Sequence, residues 1–353
     1  MNAVLRSLTF LRRQWQWLKW PVAVGLVLFL FSQNQEAIAQ LAAGEIRWGY
    51  LAAAGVVMLL ALLLTFFRWW LLVWAQDFDF SLKDAFRLGF IGYLFNYVAP
   101  GGAGGDIVKA MLLAKEQPRR RLVAIATVFL DRILGLLALF MVGAAACLVP
   151  TPILDKPEFQ NVIRAYWLFG GAGIVGVGLM LVPAIPRSKP VQWLTHLPGV
   201  GHLLAELIAG VVLYQSRPLV VVASVLVSIL GHVAMLSVFY LGALAVGTVE
   251  TIPGFWAHLQ FVPAAELAGV LVPLPGGVGA LEGAVKYCYE LAGASGASGL
   301  LTAIAFRSLS VLLAVVGAGY YMLARREIDE VIHEAEEDAS HSADESTPQL
   351  DRV

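Results

Sequence analysis

Long runs of apolar residues, separated by short polar segments, dominate the pattern of this 353-residue chain. Runs of about 18 or more apolar residues are typical of helices that cross a bilayer. Six segments are predicted as crossings, at about 20–33, 48–75, 122–149, 164–184, 218–248 and 299–323. The pattern therefore predicts an all-α polytopic membrane protein, and no stretch between the crossings is long enough for a soluble catalytic domain.

Two further apolar regions, 83–115 and 254–295, are each interrupted in the middle, by PGGAGG and by PGGVG. Proline ends an incoming helix and glycine permits a sharp reversal, so each region is predicted to form a re-entrant hairpin of two half-length helices. The outgoing half-helices are expected to begin near Gly104 and Gly279, where free N–H groups suit a phosphate. The predicted turn residues are Pro100, Gly101, Gly102, Gly104, Pro275, Gly276, Gly277 and Gly279.

The two hairpins recur at a constant spacing along the chain. Pro100 and Pro275 are 175 residues apart, and the same offset relates Arg132 to Arg307. A shared offset indicates two related halves of one membrane domain at 20–326. The halves span about 48–149 and 218–323. The alternative is that the Pro-Gly motifs mark two ordinary kinks left by a duplication.

Basic residues set the expected orientation, because short cytoplasmic loops are enriched in lysine and arginine. The N-terminal segment 1–19 and the loop at 115–121 are the most basic, so the plasma (inner) membrane is expected to hold the protein with both termini in the cytoplasm. The first hairpin is flanked by basic residues and should open to the cytoplasm, whereas the second follows the base-poor loop near 249–256 and should open outside. Hairpins of opposite orientation are typical of an inverted-topology repeat, the architecture of many transporters.

The two ends of the chain differ in composition from the membrane domain. Basic residues followed by an apolar run at 21–31 resemble a cleavable signal peptide, so a retained helix and a cleaved leader both remain open for residues 1–39. Residues 327–353 contain ten acids and one arginine, which predicts an acidic, disordered cytoplasmic tail. The remaining chain carries eight more basic than acidic residues, as proteins beside anionic lipid often do.

Composition and motifs limit the classes of function that the chain can have. The chain is 59% hydrophobic and only 14% charged, whereas a soluble domain is about a quarter charged. Its two cysteines, Cys147 and Cys288, and its six histidines show no metal-binding spacing, and no nucleophile or nucleotide motif occurs. We therefore expect no enzymatic activity, no cofactor, no metal and no nucleic acid partner. The expected partners are membrane lipids, and a lipid-modifying enzyme is a further candidate.

Charged residues occur inside predicted crossings, where an ionised side chain costs about 2.5–3.5 kcal/mol on insertion scales. Asp131 and Arg132 lie together in one crossing and Arg307 lies in another, so each is expected to face a cavity or a partner across the bundle. Two hypotheses remain open: a polar path that holds a lipid phosphate, which arginine suits, and structural ion pairs that clamp the hairpins. The candidate path residues are Arg132, Arg307, Asp131, Asp106, Lys109, Glu282, Lys286, Glu266 and Asn96. Arg68, between tryptophans near an interface, is expected to extend to the membrane surface.

The ordered motifs NYVAPGGAGGDIVKA, VFLDRILGL, PLPGGVGALEGAV and AFRSL resemble the lysylphosphatidylglycerol synthase transmembrane region family, also called flippase-like domain proteins. The resemblance covers about residues 10–325. In the multiple peptide resistance factors such a domain moves aminoacylated phosphatidylglycerol between leaflets, and a separate soluble domain, not seen in this sequence, makes that lipid. The resemblance implies a central cavity lined by Asp106, Arg132, Glu282 and Arg307.

The sequence departs from the family pattern at two positions. Asp131 stands where the family usually has glutamate, and Gly135 stands where an acid often follows. The resemblance implies that the protein moves a phosphate-bearing or glycosylated lipid between leaflets without ATP. The alternative is a membrane accessory or scaffold protein for a lipid-modifying enzyme or for an enzyme of a glycolipid or hopanoid pathway.

Overall fold

The computed structural model describes residues 46–98, 104–195, 201–247, 252–272 and 275–323. Within these ranges the chain is almost entirely helical and contains no β-strand. The first predicted crossing, the signal-peptide alternative, the acidic tail and the turn residues Pro100, Gly101 and Gly102 lie outside the described residues.

The helices follow the predicted order closely. They are α1 (Trp48–Trp74), α2 (Leu82–Val98), α3 (Gly104–Glu116), α4 (Arg121–Ala146), α5 (Pro157–Leu181), α6 (Lys189–Leu194), α7 (Gly201–Ser216), α8 (Pro218–Val246), α9 (Phe255–Leu271), α10 (Ala280–Leu291) and α11 (Gly296–Leu323). Within the described ranges, five helices are long and apolar enough to cross a membrane, namely α1, α4, α5, α8 and α11. The prediction of an all-α polytopic membrane protein is confirmed.

The two interrupted regions form pairs of short helices that pack against each other, α2 on α3 and α9 on α10. These helices contain 17, 13, 17 and 12 residues. At 1.5 Å per residue they are about 18–26 Å long, which is shorter than the bilayer's hydrocarbon core of about 30 Å. We call α2–α3 the first hairpin and α9–α10 the second hairpin.

Close contacts between glycines let the two arms of each hairpin approach. A Cβ atom on Gly105 would lie only 1.8 Å from the carbonyl oxygen of Gly92 in the first hairpin. In the second hairpin, a Cβ on Gly277 would lie 2.1 Å from the carbonyl oxygen of Gly269, and Gly277 has a φ of +61°. Larger residues would push the backbones apart, so the glycines fix how tightly each hairpin closes.

Contacts between helices occur in matched pairs that relate the two halves. α1 packs on α2 as α8 packs on α9, and α3 packs on α4 as α10 packs on α11. The halves also exchange contacts, because α2 packs on α11 as α9 packs on α4. The equivalent helices α1 and α8 share the most extensive contact. This is the pattern that two related halves would give, and their opposite orientation in the membrane stays a prediction.

The orientation of the hairpins can be tested with single cysteines at exposed positions beside their open ends. In a protein that lacks Cys147 and Cys288, we would introduce Asp79→Cys before α2 and Ser295→Cys after α10. Opposite orientation predicts that a membrane-impermeant thiol reagent labels Ser295→Cys in intact cells and labels Asp79→Cys only after the cells are opened. Labelling of both positions from the same side would contradict the inverted repeat.

The glycine contact in the second hairpin predicts a large effect of a single substitution. Gly277→Val should lower the free energy of unfolding by about 1–3 kcal/mol or more, because it overpacks the crossing and strains a left-handed backbone. The measurement is the melting temperature of the purified protein in detergent. Gly283→Val is the matched control, since Gly283 lies on α10 with nothing within 4 Å of its Cβ position. Equal melting of the two variants would show that the close contact does not hold the hairpin together.

Candidate functional site

A cavity of about 430 Å³ lies between the first hairpin and helices α1, α4, α8 and α9. A second space of about 260 Å³ adjoins it and reaches Gly276 in the 3-10 turn Pro275–Gly277 of the second hairpin. The two spaces share the wall residues Tyr93, Asn96, Arg132, Glu266 and Val270. Both hairpins therefore contribute to one continuous space, which we call the central cavity.

Asp106, in the first turn of α3, accepts hydrogen bonds from two cations. Its Oδ1 atom lies 2.9 Å from Nζ of Lys109, one turn further along α3, and its Oδ2 atom lies 2.7 Å from Nε of Arg132 on α4. Lys109 is buried and its ammonium lies 5.0 Å from the ring centroid of Trp69, at cation–π distance. The side chain of Arg132 is 46% exposed and lines the cavity. These three charged side chains carry one positive charge in excess.

Arg68 is buried and does not extend to the membrane surface, so that prediction is wrong. Its Nε donates to Oδ1 of Asp131 on α4 at 2.7 Å, and its Nη1 donates to Oγ of Ser228 on α8 at 2.9 Å. A Cβ on Gly135 would lie 3.0 Å from Nη1 of Arg68, so this glycine leaves room for the guanidinium. Arg68 remains buried because Asp131 and Ser228 accept its hydrogen bonds and Gly135 leaves space for its guanidinium.

Asp131 thus pairs across the bundle with Arg68, which the sequence predicts to extend to the membrane surface. The signal that could have found Arg68 is that an ionisable residue inside a crossing is a functional candidate by default. His232 on α8 and Tyr93 on α2 also line the cavity and were missed. Histidine and tyrosine are not counted among the charged residues. Neither position therefore stands out as a charge inside an apolar run.

Arg307 on α11 and Glu282 on α10 hold the turn of the second hairpin. Nε of Arg307 donates to Oε1 of Glu282 at 2.8 Å, and its Nη1 donates to the carbonyl oxygen of Gly276 at 2.6 Å. Oε2 of Glu282 accepts from the N–H of Gly279 at 2.7 Å, which caps α10. Among the described residues that line the two spaces, neither Arg307 nor Glu282 occurs, whereas Gly276, which Arg307 bonds, does. Lys286 is half-buried and forms no ion pair within the described part of the chain.

The hairpins meet where Tyr97 approaches Gly276. The guanidinium of Arg307 lies 5.9 Å from the ring centroid of Tyr97, and a Cβ on Gly276 would lie 2.8 Å from that ring. On the first hairpin, Asn96 accepts a hydrogen bond from the N–H of Gly105 at 2.9 Å through Oδ1. Asn96 therefore ties the two arms together while it also lines the cavity.

Glu266 on α9 differs from the other carboxylates of the cavity. It is half-buried and lines both spaces. Within the described part of the chain its carboxylate forms no hydrogen bond and no ion pair. Asp106 and Asp131, in contrast, are each bonded to arginine. Across the same residues, no three His, Cys, Asp or Glu side chains lie close enough to share a metal ion.

Apolar residues with exposed side chains form part of the cavity wall. Leu136 on α4 is 40% exposed, and Val270 and Leu271 at the end of α9 are 47% and 79% exposed. All three also line the cavity. Part of the cavity wall is thus charged, and residues of α4 and α9 form an apolar part that we call the apolar edge. This arrangement suits a molecule with a polar head and a hydrocarbon tail.

The chain matches the family model described as "Lysylphosphatidylglycerol synthase TM region" over residues 16–317. No curated protein and no solved structure gives a match. The matched range contains both hairpins and every residue of the central cavity, and it confirms the resemblance carried by the motifs. The protein belongs to the lysylphosphatidylglycerol synthase transmembrane region family.

Proposed function

We propose that the protein moves an amphipathic lipid between the leaflets of the membrane, as a flippase or scramblase that uses no ATP. The lipid carries a phosphate-bearing or glycosylated headgroup. The observation that carries this proposal is Arg132, an arginine that lines the cavity of a membrane domain and whose side chain is 46% exposed. A planar guanidinium with several N–H donors is well suited to bind phosphate.

The pairing of Asp106 supports a binding role for Arg132. Asp106 keeps Lys109 as a partner at 2.9 Å, so Arg132 is not needed to neutralise it. A second cation beside an already paired carboxylate provides a positive charge that an anionic headgroup can neutralise. The apolar edge at Leu136 and Val270 supports a lipid, because acyl chains can stay in the bilayer while the headgroup enters the cavity.

The proposed location is the plasma (inner) membrane, with both termini in the cytoplasm. The support is the basic connection between α3 and α4, with Arg119 and Arg120 in the loop and Arg121 as the first residue of α4. The partners in this proposal are membrane lipids, and the protein performs no chemical reaction on them.

The alternative is a membrane scaffold for a lipid-modifying enzyme. It is favoured by the contacts of Arg307 and Glu282, which hold the turn of the second hairpin and need no ligand to explain them. A scaffold needs its buried charges only for stability, whereas a lipid translocator also needs a cation that faces the cavity. Substitutions of Arg132 and Arg307 therefore separate the two functions.

Arg132→Met should reduce lipid exchange by about tenfold or more. A charge-assisted hydrogen bond contributes about 1.5–3 kcal/mol, and the variant removes the donor while it leaves the Lys109–Asp106 pair in place. The measurement is exchange of a fluorescent phosphatidylglycerol between leaflets of proteoliposomes, together with the melting temperature. Arg164→Met, at an exposed position of α5, is the control for loss of a cation elsewhere. Unchanged exchange in folded Arg132→Met would favour the scaffold.

The pair Arg307–Glu282 should behave in the opposite way. Loss of one partner leaves an unpaired buried charge, so Arg307→Met should lower the melting temperature and the yield. Replacement of both partners, as Arg307→Met with Glu282→Gln, should recover stability and most of the exchange. If exchange stays lost in the stable double variant, Arg307 also acts on the lipid and the structural assignment of this pair is wrong.

A further inference from the structure

The charges on the wall of the central cavity are balanced in an unusual way. Three cations, Arg68, Lys109 and Arg132, face two carboxylates that are bonded to them, Asp106 and Asp131. The remaining carboxylate, Glu266, forms no hydrogen bond or ion pair within the described residues. The sum of the wall charges is therefore set by whether Glu266 carries a proton.

An ionised carboxylate without a partner is costly at membrane depth. Glu266 lowers this cost when it binds a proton or when a cation comes to lie beside it. The cations of the cavity are each occupied by another carboxylate, and Arg307 is bonded to Glu282. A bound metal cation would need further ligand atoms from the protein, whereas a proton needs none.

The charge count links this proton to the headgroup. With Glu266 ionised the wall is neutral, and with Glu266 protonated it carries one net positive charge. A singly anionic headgroup is therefore neutralised only in the protonated state. Each ligand then favours the binding of the other, and this coupling is reciprocal for binding free energies.

We propose that Glu266 binds a proton together with an anionic lipid headgroup, so that each lipid crosses the membrane with one proton. This inference rests on the proposed lipid translocation and adds its driving force. The carboxylate takes up a proton on the more acidic side and releases it on the other, and no bond of the lipid is broken. The loaded cavity is then electrically neutral, so a pH difference drives the lipid and a membrane potential does not.

Other titratable groups face the same space and have to be separated from Glu266. They are Tyr93 and Tyr97 on α2, Asp106 and Lys109 on α3, Asp131 and Arg132 on α4, Arg68 on α1 and His232 on α8. Glu282 on the adjacent α10 is held by Arg307 and Gly279. Histidine ordinarily titrates near neutral pH, so His232 is the competing candidate and supplies the control.

The experiment uses the full-length protein in sealed vesicles that contain a trace of fluorescent phosphatidylglycerol. A pH difference of one unit is imposed while valinomycin and potassium hold the membrane potential at zero. The wild type should enrich the lipid about tenfold in the leaflet that faces the alkaline side, the limit for one proton per lipid. With equal pH on both sides, the wild type should exchange the lipid to an even distribution. Protein-free vesicles give the background.

Three variants assign the coupling to the carboxylate. Glu266→Gln resembles the protonated form, so it should still exchange lipid but should give no enrichment under the pH difference. Glu266→Asp keeps a titratable group and should retain enrichment, and His232→Gln should retain it as well. Melting temperatures show whether each variant is folded. The enrichment ratio at equilibrium does not depend on how fast a variant exchanges the lipid, so variants of different rate can be compared.

Several outcomes would overturn the inference. Even distribution by an exchanging wild type, or enrichment that survives in Glu266→Gln and disappears in His232→Gln, would show that Glu266 does not couple the proton. Exchange that requires Glu266, favours phosphatidylethanolamine and ignores pH would identify a lipid ammonium as its partner instead. If the wild type exchanges no lipid even at equal pH, the proposed function itself fails, which separates the two failures.

Discussion

The need to satisfy every charge and backbone polar group inside the bilayer determines the rest of this structure. Hydrocarbon offers no water to bond them, so each such group needs a partner from the protein or from a cavity. Arg68 donates hydrogen bonds to Asp131 and Ser228, and Arg307 donates hydrogen bonds to Glu282 and Gly276. The contacts of Arg68 join long helices that are far apart in sequence. The contacts of Arg307 hold the second hairpin against α11. The central cavity is what remains between elements that are positioned in this way.

Arginines at equivalent positions of the two halves differ in their contacts and in their exposure. Arg132 and Arg307 occupy the same place in the repeat, and each is bonded to a carboxylate near the start of the outgoing hairpin helix. Arg132 shares its carboxylate with Lys109 and remains 46% exposed, whereas Arg307 also bonds a turn carbonyl and is 16% exposed. A repeat in sequence thus preserves the pairing of residues but not their access to the cavity.

Sequence reasoning succeeded where local rules decide the structure. Apolar runs predicted the five described crossings, and Pro-Gly motifs predicted both hairpins, because each signal acts within a few residues. It failed for Arg68, whose partner lies 63 residues away and leaves no local trace. Glu282 and Lys286 are four residues apart on α10, a spacing that places them on one helix face. Both oxygens of Glu282 are instead occupied, by Arg307 and by the N–H of Gly279.

A cavity whose cations already have partners is better suited to the passage of a lipid headgroup than to its tight binding. A headgroup that binds Arg132 has to compete with Asp106, so part of the interaction energy is lost when the ligand enters and is recovered when it leaves. A path through a membrane works only when binding is favourable enough for entry and weak enough for exit. An unpaired arginine at this depth would hold a phosphate too firmly and would be costly when empty. The paired arrangement avoids both extremes, and in the function that we propose Glu266 is the group whose charge adjusts to the occupant.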